Sequence, residues 1–288
     1  MGNYLYMRLY FILYNTMIIG IDIGSTTTKA VSIQDGCVIH KIKTKAADAV
    51  TSATGAFGKM IVENGIKIGE IRKIMITGAG AGKLKDDLFG IPTGKADEIK
   101  SIGIGGMFLA GRDNIIIANV GTGTAIIDAR SDGIFHLGGS GVGGGTILGL
   151  AKKLLSVSEF NDVMEMAEKG KLNQVDLLMG DIMETDLSFL NKENTASNFG
   201  KMLDSAHNED IALGLINMVY QVIGVLSVFA AKSRNTDRVV VTGNGSGNLL
   251  GRRVLEDVTT MYHVQFEYPG DAEYTTAIGA ALGISTGE

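Results

Sequence analysis

Apolar runs that turn sharply at glycines recur along the chain, and the first of them is the best formed. Residues 18–23 read IIGIDI, an apolar run typical of a buried strand, and residues 26–31 read TTTKAV, which is rich in β-branched side chains. Gly24 and Ser25 lie between the two runs and suit a tight turn. This pattern predicts an antiparallel hairpin, which a third strand over residues 37–43 extends.

Helical and strand periodicities alternate after this hairpin. Residues 46–64 place apolar side chains at helical spacing, residues 71–77 form a short apolar strand, and a further helix is predicted from Asp97 to Ala110. This order predicts a mixed sheet flanked by helices.

The opening pattern returns about a hundred residues later, which predicts a duplicated domain. Residues 115–119 read IIIAN, residues 120–124 form a turn of glycines and hydroxyls (VGTGT), and residues 125–128 leave it as a strand. A further strand that runs into a glycine turn is predicted over residues 238–248. A closing helix is predicted over residues 275–283.

A long apolar helix, predicted over residues 210–232, could be a membrane span or a buried core helix. Asn217, Tyr220 and Gln221 near its middle favour the core of a soluble protein or a subunit interface. The aromatic residues 1–16 are predicted to be an extension outside the fold, with a membrane-associated leader as the alternative. We therefore expect no membrane partner.

Composition excludes several classes of protein. The net charge of −5 gives no basic surface for nucleic acid. A single cysteine, Cys37, excludes an internal disulfide or a cysteine cluster within one chain and favours the cytoplasm. The 40 glycines are dispersed among apolar residues, which indicates tight turns and close approaches of the backbone to a ligand.

Three glycine turns are candidate phosphate or nucleotide sites, because glycine lets backbone N–H groups approach an anion. A fourth candidate is a glycine run (residues 138–146) before an apolar helix, where the first amides of the helix would bind an anion. The candidate residues are Gly24, Ser25, Thr26, Thr27 and Lys29 in the first turn, Gly121, Thr122, Gly123 and Thr124 in the second, Gly143, Gly144, Gly145 and Thr146 in the run, and Gly243, Asn244 and Gly245 in the third, where a base and ribose would rest.

Two acidic residues are candidates for chemistry. Asp22 ends a buried strand beside the first turn, where a carboxylate is favourable if it faces a hydrated Mg²⁺; the alternative is a solvated side chain in an ordinary hairpin. Glu98 stands at the start of a predicted helix, where a first-turn acid stabilises the helix dipole without any catalytic role.

These motifs occur in the order of the phosphate and adenosine motifs of the actin, sugar-kinase and heat-shock ATPase superfamily. Within it, the strings IANVGTGT, GGSGVGGGTILGL, SNFG, LGLINMV and AIGAALG resemble the type II pantothenate kinases, from residue 17 onward. The resemblance implies an α/β, duplicated ribonuclease H-like (actin-like ATPase) fold. Its two mixed-sheet halves, residues 17–112 and 113–288, would enclose a nucleotide between two phosphate turns.

The resemblance also implies phosphoryl transfer from ATP, with Mg²⁺, to the primary hydroxyl of pantothenate by a homodimer. Asp22 matches the aspartate on the metal side, and Glu98 matches the proposed catalytic base. Ala125 and His136 stand at substrate positions where the family has serine and arginine. Because imidazole binds a carboxylate less well than arginine at neutral pH, these two positions leave the acceptor open.

Two other functions remain possible. The opening GIDIGSTTTKAV also resembles the ATPase activators of 2-hydroxyacyl-CoA dehydratases, which hold an iron–sulfur cluster between two subunits with two cysteines from each; Cys37 alone does not supply this set. A nucleotide sensor without catalysis would bind ATP and change its contacts with a partner.

Overall fold

The computed structural model describes residues 17–183 and 192–283. The strands are β1 Met17–Ile23, β2 Thr27–Gln34, β3 Cys37–Lys45, β4 Ile71–Thr77, β5 Thr93–Lys95, β6 Ile115–Val120, β7 Thr124–Arg130, β8 Gly133–Ser140, β9 Leu177–Leu178, β10 Thr195–Ser197, β11 Arg238–Thr242 and β12 Gln265–Glu267. The helices are α1 Ala49–Asn64, α2 Glu98–Ala110, α3 Gly144–Leu155, α4 Phe160–Ala167, α5 Met179–Ile182, α6 Asn208–Ser233, α7 Leu249–Tyr262 and α8 Thr275–Leu282.

The described residues form two compact units. Unit 1 contains residues 17–115, 127–136 and 269–283, and unit 2 contains residues 116–126 and 137–268 without the gap at 184–191. The predicted extension over residues 1–16 lies outside the described residues. The predicted division at residues 112 and 113 stays a prediction.

The two large sheets have the same strand order, which confirms the predicted duplication. Sheet 1 runs β3-β2-β1-β4-β5, and sheet 2 runs β8-β7-β6-β11-β12. In sheet 1, β2 is antiparallel to β1 and β3, whereas β1, β4 and β5 are parallel. In sheet 2, β6, β11 and β12 are parallel.

The core of unit 1 lies on both faces of sheet 1. Along β1, Ile19, Ile21 and Ile23 pack toward α1, whereas Ile18 packs toward α8. Gly20 lies under α8, where a Cβ atom would stand 2.0 Å from the carbonyl oxygen of Ala277. Since residues alternate between faces along a strand, Asp22 shares the α8 face with Ile18 and Gly20.

The long helix α6 is the centre of unit 2. It packs against α3, α4 and α7, and its buried residues include Leu215, Ile216, Val219 and Ile223. Among the described residues it is the one helix long and apolar enough to cross a membrane, and 61% of its apolar window is buried inside the protein. Burial by neighbouring helices explains its composition, as expected for a core helix.

Helix boundaries follow the predicted signals closely. Asp48 caps α1 by accepting hydrogen bonds from the amides of Val50 and Thr51, and Gly65 ends the helix in the left-handed conformation, with φ +64°. Strand ends are less accurate, since the strand predicted over residues 37–43 extends to Lys45.

Candidate active site

The carboxyl edge of sheet 1 brings Asp22 and Glu98 into one region of unit 1. Because β1, β4 and β5 are parallel, their carboxyl ends lie at the same edge, where ligands of α/β proteins commonly bind. Asp22 pairs in register with Thr77 of β4, and Ile76 pairs with Lys95 of β5. Glu98 begins α2 just after β5. We call this edge, with Asp22, Thr77 and Glu98, the acid edge.

Asp22 is a buried carboxylate with a perturbed pKa. It is 9% exposed. Burial raises its pKa to about 6, Lys29 opposes the rise, and the negative charge of Glu98 adds to it. The charge of Glu98 therefore contributes to the raised pKa of Asp22, as expected when two carboxylates belong to one site.

Lys29 lies beside Asp22 on the neighbouring strand. The two residues are cross-strand partners in the β1–β2 pair, and Lys29 is 5% exposed. Burial lowers the pKa of Lys29, while the carboxylates of Asp22 and then Glu273 raise it. In unit 1, Lys29 therefore partly balances the charge of Asp22; its predicted contact with phosphate stays a prediction.

The first phosphate turn, residues 24–27, is accessible. Gly24 and Thr27 are half-buried, and Ser25 and Thr26 are exposed. A Cβ atom on Gly24 would stand 2.8 Å from the carbonyl oxygen of Thr27, so the turn requires glycine there.

Glu98 does not cap its helix. The neighbouring Asp97 is the N-cap, and its carboxylate accepts a 2.8 Å hydrogen bond from the amide of Lys100. The Glu98 side chain is exposed. Partial desolvation, and then the charge of Asp97, raise its pKa. Since Asp97 already satisfies the helix start, Glu98 is available for another role, which is compatible with a general base.

The residues of the acid edge fit a hydrated Mg²⁺. A buried carboxylate is costly unless a cation faces it, and Asp22 supplies the oxygen ligand that Mg²⁺ prefers. No group of three or more His, Cys, Asp or Glu within residues 17–183 and 192–283 is arranged to hold a metal. One carboxylate suits Mg²⁺, which usually keeps several waters and phosphate ligands.

The second phosphate turn, residues 121–124, is stabilised inside unit 2. The Gly121 amide donates to the carbonyl of Gly123 at 2.9 Å, and the Thr124 hydroxyl donates to the carbonyl of Val142 at 2.8 Å. A Cβ atom on Gly123 would stand 2.8 Å from the carbonyl oxygen of Ser140. The turn is therefore held against the glycine run, residues 138–146.

Three amides of the glycine run have hydrogen-bond acceptors within unit 2. Gly144 and Gly145 donate to the carbonyls of Gly121 and Thr122, each at 2.9 Å, and Gly143 donates to the Thr146 hydroxyl at 3.2 Å. That Gly143, Gly144, Gly145 and Thr146 contact the nucleotide stays a prediction, whereas packing is the role that these hydrogen bonds favour. Because these N–H groups already have acceptors, the run fixes the second phosphate turn.

The third glycine turn, residues 243–247, lies beside the end of β6. Gly243 has φ +79°, and a Cβ atom there would stand 2.5 Å from the carbonyl oxygen of Val120. The Tyr220 hydroxyl donates to the carbonyl of Gly245 at 2.7 Å, and that of Thr242 donates to Oδ1 of Asn119 at 3.0 Å. Two of the predicted nucleotide turns are thus neighbours within unit 2.

The two predicted substrate positions are both in the β7–β8 region. Ala125 is half-buried in β7, and His136 is exposed in β8. Their contact with an acceptor stays a prediction.

Sequence reasoning missed the segment that follows β4. Thr77 is fully buried beside Asp22, and Gly78 has φ +86°. The signal was present, because the strand IRKIMIT runs directly into the glycine-rich GAGAG.

Two solved structures with similar folds indicate the fold class of this chain. The activator of the 2-hydroxyisocaproyl-CoA dehydratase from Clostridium difficile, with bound ADPNP, matches with a TM-score of 0.65 at 20% identity, covering 94% of each chain. A ROK family glucokinase from Streptomyces griseus, in complex with glucose and AMPPNP, matches with a TM-score of 0.60 at 14% identity, covering 92% of this chain and 98% of the glucokinase. The chain has the fold of the actin-like ATPases and sugar kinases, as predicted.

The comparisons of sequence identify more specific relatives than the comparisons of fold. The Fumble family model matches residues 114–248. A type II pantothenate kinase of Bacillus anthracis is 29% identical over 280 residues, which are 92% of this chain and 96% of the relative. Another, of Staphylococcus aureus, is 29% identical over 276 residues, 92% of this chain and 98% of the relative. The chain is similar over 92% of its length to proteins named type II pantothenate kinase, which confirms the resemblance found in the sequence.

Proposed function

We propose that this protein transfers the γ-phosphoryl group of ATP to the primary hydroxyl of pantothenate, the first step of coenzyme A biosynthesis. The observation that carries the proposal is the acid edge, where a buried carboxylate and an available glutamate lie at the carboxyl ends of parallel strands. The names of the relatives support the choice of acceptor. We propose further that the enzyme is a cytoplasmic homodimer.

Phosphoryl transfer depends mainly on positioning and neutralisation of charge. Backbone groups of the two phosphate turns bind phosphate oxygens, and the third glycine turn supports the nucleoside. Asp22 holds the metal side of the site, where a bound Mg²⁺ would neutralise charge on the phosphates. Glu98 orients the acceptor hydroxyl and accepts its proton, a role that the raised pKa of its carboxyl favours.

A dehydratase activator is the second candidate because such an activator shares the fold. That likeness at 20% identity concerns the fold alone. The cluster that such a function implies needs two cysteines from each subunit, and the whole chain contains only Cys37. The kinase is therefore the better supported function.

The test is an ADP-release assay of the purified protein with Mg-ATP and a panel of small alcohols and acids, beginning with pantothenate. We expect turnover with pantothenate or a pantetheine-like alcohol. ATP binding without turnover for every member would refute the kinase and favour a nucleotide sensor. Iron in the purified protein would favour the activator.

The variant Glu98→Gln tests the base. Because an amide cannot accept the proton, kcat should fall by about 10²–10⁴-fold while ATP still binds. Glu63→Gln is the matched control, since Glu63 is exposed on α1 and pairs with Lys59 at 3.7 Å. Equal kcat values for Glu98→Gln and the parent would show that Glu98 is not the base.

A further inference from the structure

The segment after β4 lies between the two acidic residues of the acid edge. In the strand order β1-β4-β5, it follows the strand that separates the Asp22 strand from the one leading to Glu98. The segment consists of Thr77, Gly78, Ala79 and Gly80, and neither the proposed mechanism nor the sequence prediction uses it. Its position at the acid edge places it directly against Asp22.

Three polar groups of this segment have no partner among the residues that the structure describes. The hydroxyl of Thr77 is completely buried and makes no hydrogen bond. The amides of half-buried Gly78 and exposed Ala79 donate to no backbone carbonyl within residues 17–183 or 192–283, although the amide of Gly80 donates to the carbonyl of Ile23 at 3.2 Å. Buried hydroxyl groups usually have partners, so this one needs an explanation.

The backbone of the segment is in close contact with Asp22. A Cβ atom on Gly78 would stand 2.6 Å from Oδ1 of Asp22 and 2.8 Å from the carbonyl oxygen of Ile23. Thr77 lies on the α8 face of sheet 1, as Asp22 does, because Met75 two residues earlier packs on that face. The unpaired hydroxyl is therefore beside the carboxylate and on its side of the sheet.

We propose that Thr77, Gly78 and Ala79 form the binding site for a second oxygen of the acceptor, close to its reacting hydroxyl. This inference rests on the proposed function. Two amides and a hydroxyl are donors suited to one hydroxyl or carbonyl oxygen, so the site selects alcohols that carry such an oxygen near the reacting carbon. Pantothenate, whose second hydroxyl lies near its primary one, is in this class. A γ-phosphate oxygen of ATP has the same acceptor chemistry, and the experiment distinguishes the two.

The test compares Thr77→Val with the parent in steady-state kinetics against pantothenate, against its analogue lacking the second hydroxyl, and against ATP. Valine keeps the shape and removes the hydroxyl. We expect KM for pantothenate to rise about tenfold, KM for ATP to stay unchanged, and the preference for pantothenate over the analogue to shrink. Thr77→Ser keeps the hydroxyl and should restore the parent values.

Thr28→Val is the matched control. Thr28 is also fully buried in sheet 1 with an unpaired hydroxyl, but it lies on the opposite face, as Ala30 does. Both valine variants should melt at similar temperatures, and only Thr77→Val should change KM for the acceptor.

Three results would overturn the inference: kinetics of Thr77→Val equal to the parent, a rise in KM for ATP instead, or an unchanged preference for pantothenate over the analogue. A parent that turns over no alcohol refutes the proposed function together with this inference. If the parent turns over an alcohol and Thr77→Val has the same kinetics as the parent, only this inference is refuted and the proposed function stands.

Discussion

Replacing Asp22 by asparagine should make the protein more stable at neutral pH and should abolish turnover, so the two effects of this carboxylate can be measured separately. Asp22 is 9% exposed, and its pKa in the folded, metal-free protein is about 6, against 3.8 for an unperturbed aspartate. The folded state therefore holds the proton more tightly than the unfolded chain does. Stability falls as the pH rises from about 4 to about 6, because ionisation is easier in the unfolded chain.

The magnitude follows from the two pKa values. Their difference corresponds to about 3 kcal/mol of folding free energy that the ionised carboxylate removes above pH 6. Asparagine resembles the protonated carboxyl and cannot ionise. In EDTA and without nucleotide, Asp22→Asn should be more stable than the parent by up to about 3 kcal/mol at pH 7.5 and nearly equal to it at pH 4. Turnover with Mg-ATP should be lost.

Urea denaturation at the two pH values measures both free energies of unfolding. The control is Asp86→Asn, because Asp86 is an aspartate exposed on the surface of unit 1. A less stable Asp22→Asn at pH 7.5 would show that pairing with Lys29 outweighs burial and would refute the reasoning.

Two further substitutions test unit 2. Tyr220→Phe removes the hydrogen bond to the carbonyl of Gly245, so KM for ATP should rise severalfold with KM for the acceptor unchanged; equal ATP affinity would show that this bond does not position the turn. Asn217→Leu removes a 2.7 Å hydrogen bond to the buried carboxylate of Asp176 and should lower the free energy of unfolding by about 1–3 kcal/mol in urea. Unchanged stability would mean that Asp176 finds another donor.

Periodicity and turn chemistry predicted most of the fold. The hairpin at Gly24, its repeat at Gly121 and the long helix α6 each depend on local patterns, which a sequence displays directly. Asp22 was also identified locally, because a carboxylate within an isoleucine run is unusual.

What the sequence did not predict depends on hydrogen bonds between distant segments. The glycine run looked like a set of free amides, but carbonyls of the second phosphate turn accept the hydrogen bonds of Gly144 and Gly145. The proximity of Thr77 to Asp22 arises from strand pairing across residues far apart in the chain. No local pattern contains either fact.

The last described helix, α8, has a consequence for biosynthesis of the protein. It covers β1, β2 and β4 and packs closely on α2, where a Cβ atom on Gly279 would overlap the carbonyl oxygen of Ser101. The strands within residues 17–77 are therefore synthesised well before the helix of residues 275–282 that covers them. A nascent chain without α8 exposes apolar residues of the first sheet on the ribosome, and a fragment ending at residue 268 should aggregate rather than fold.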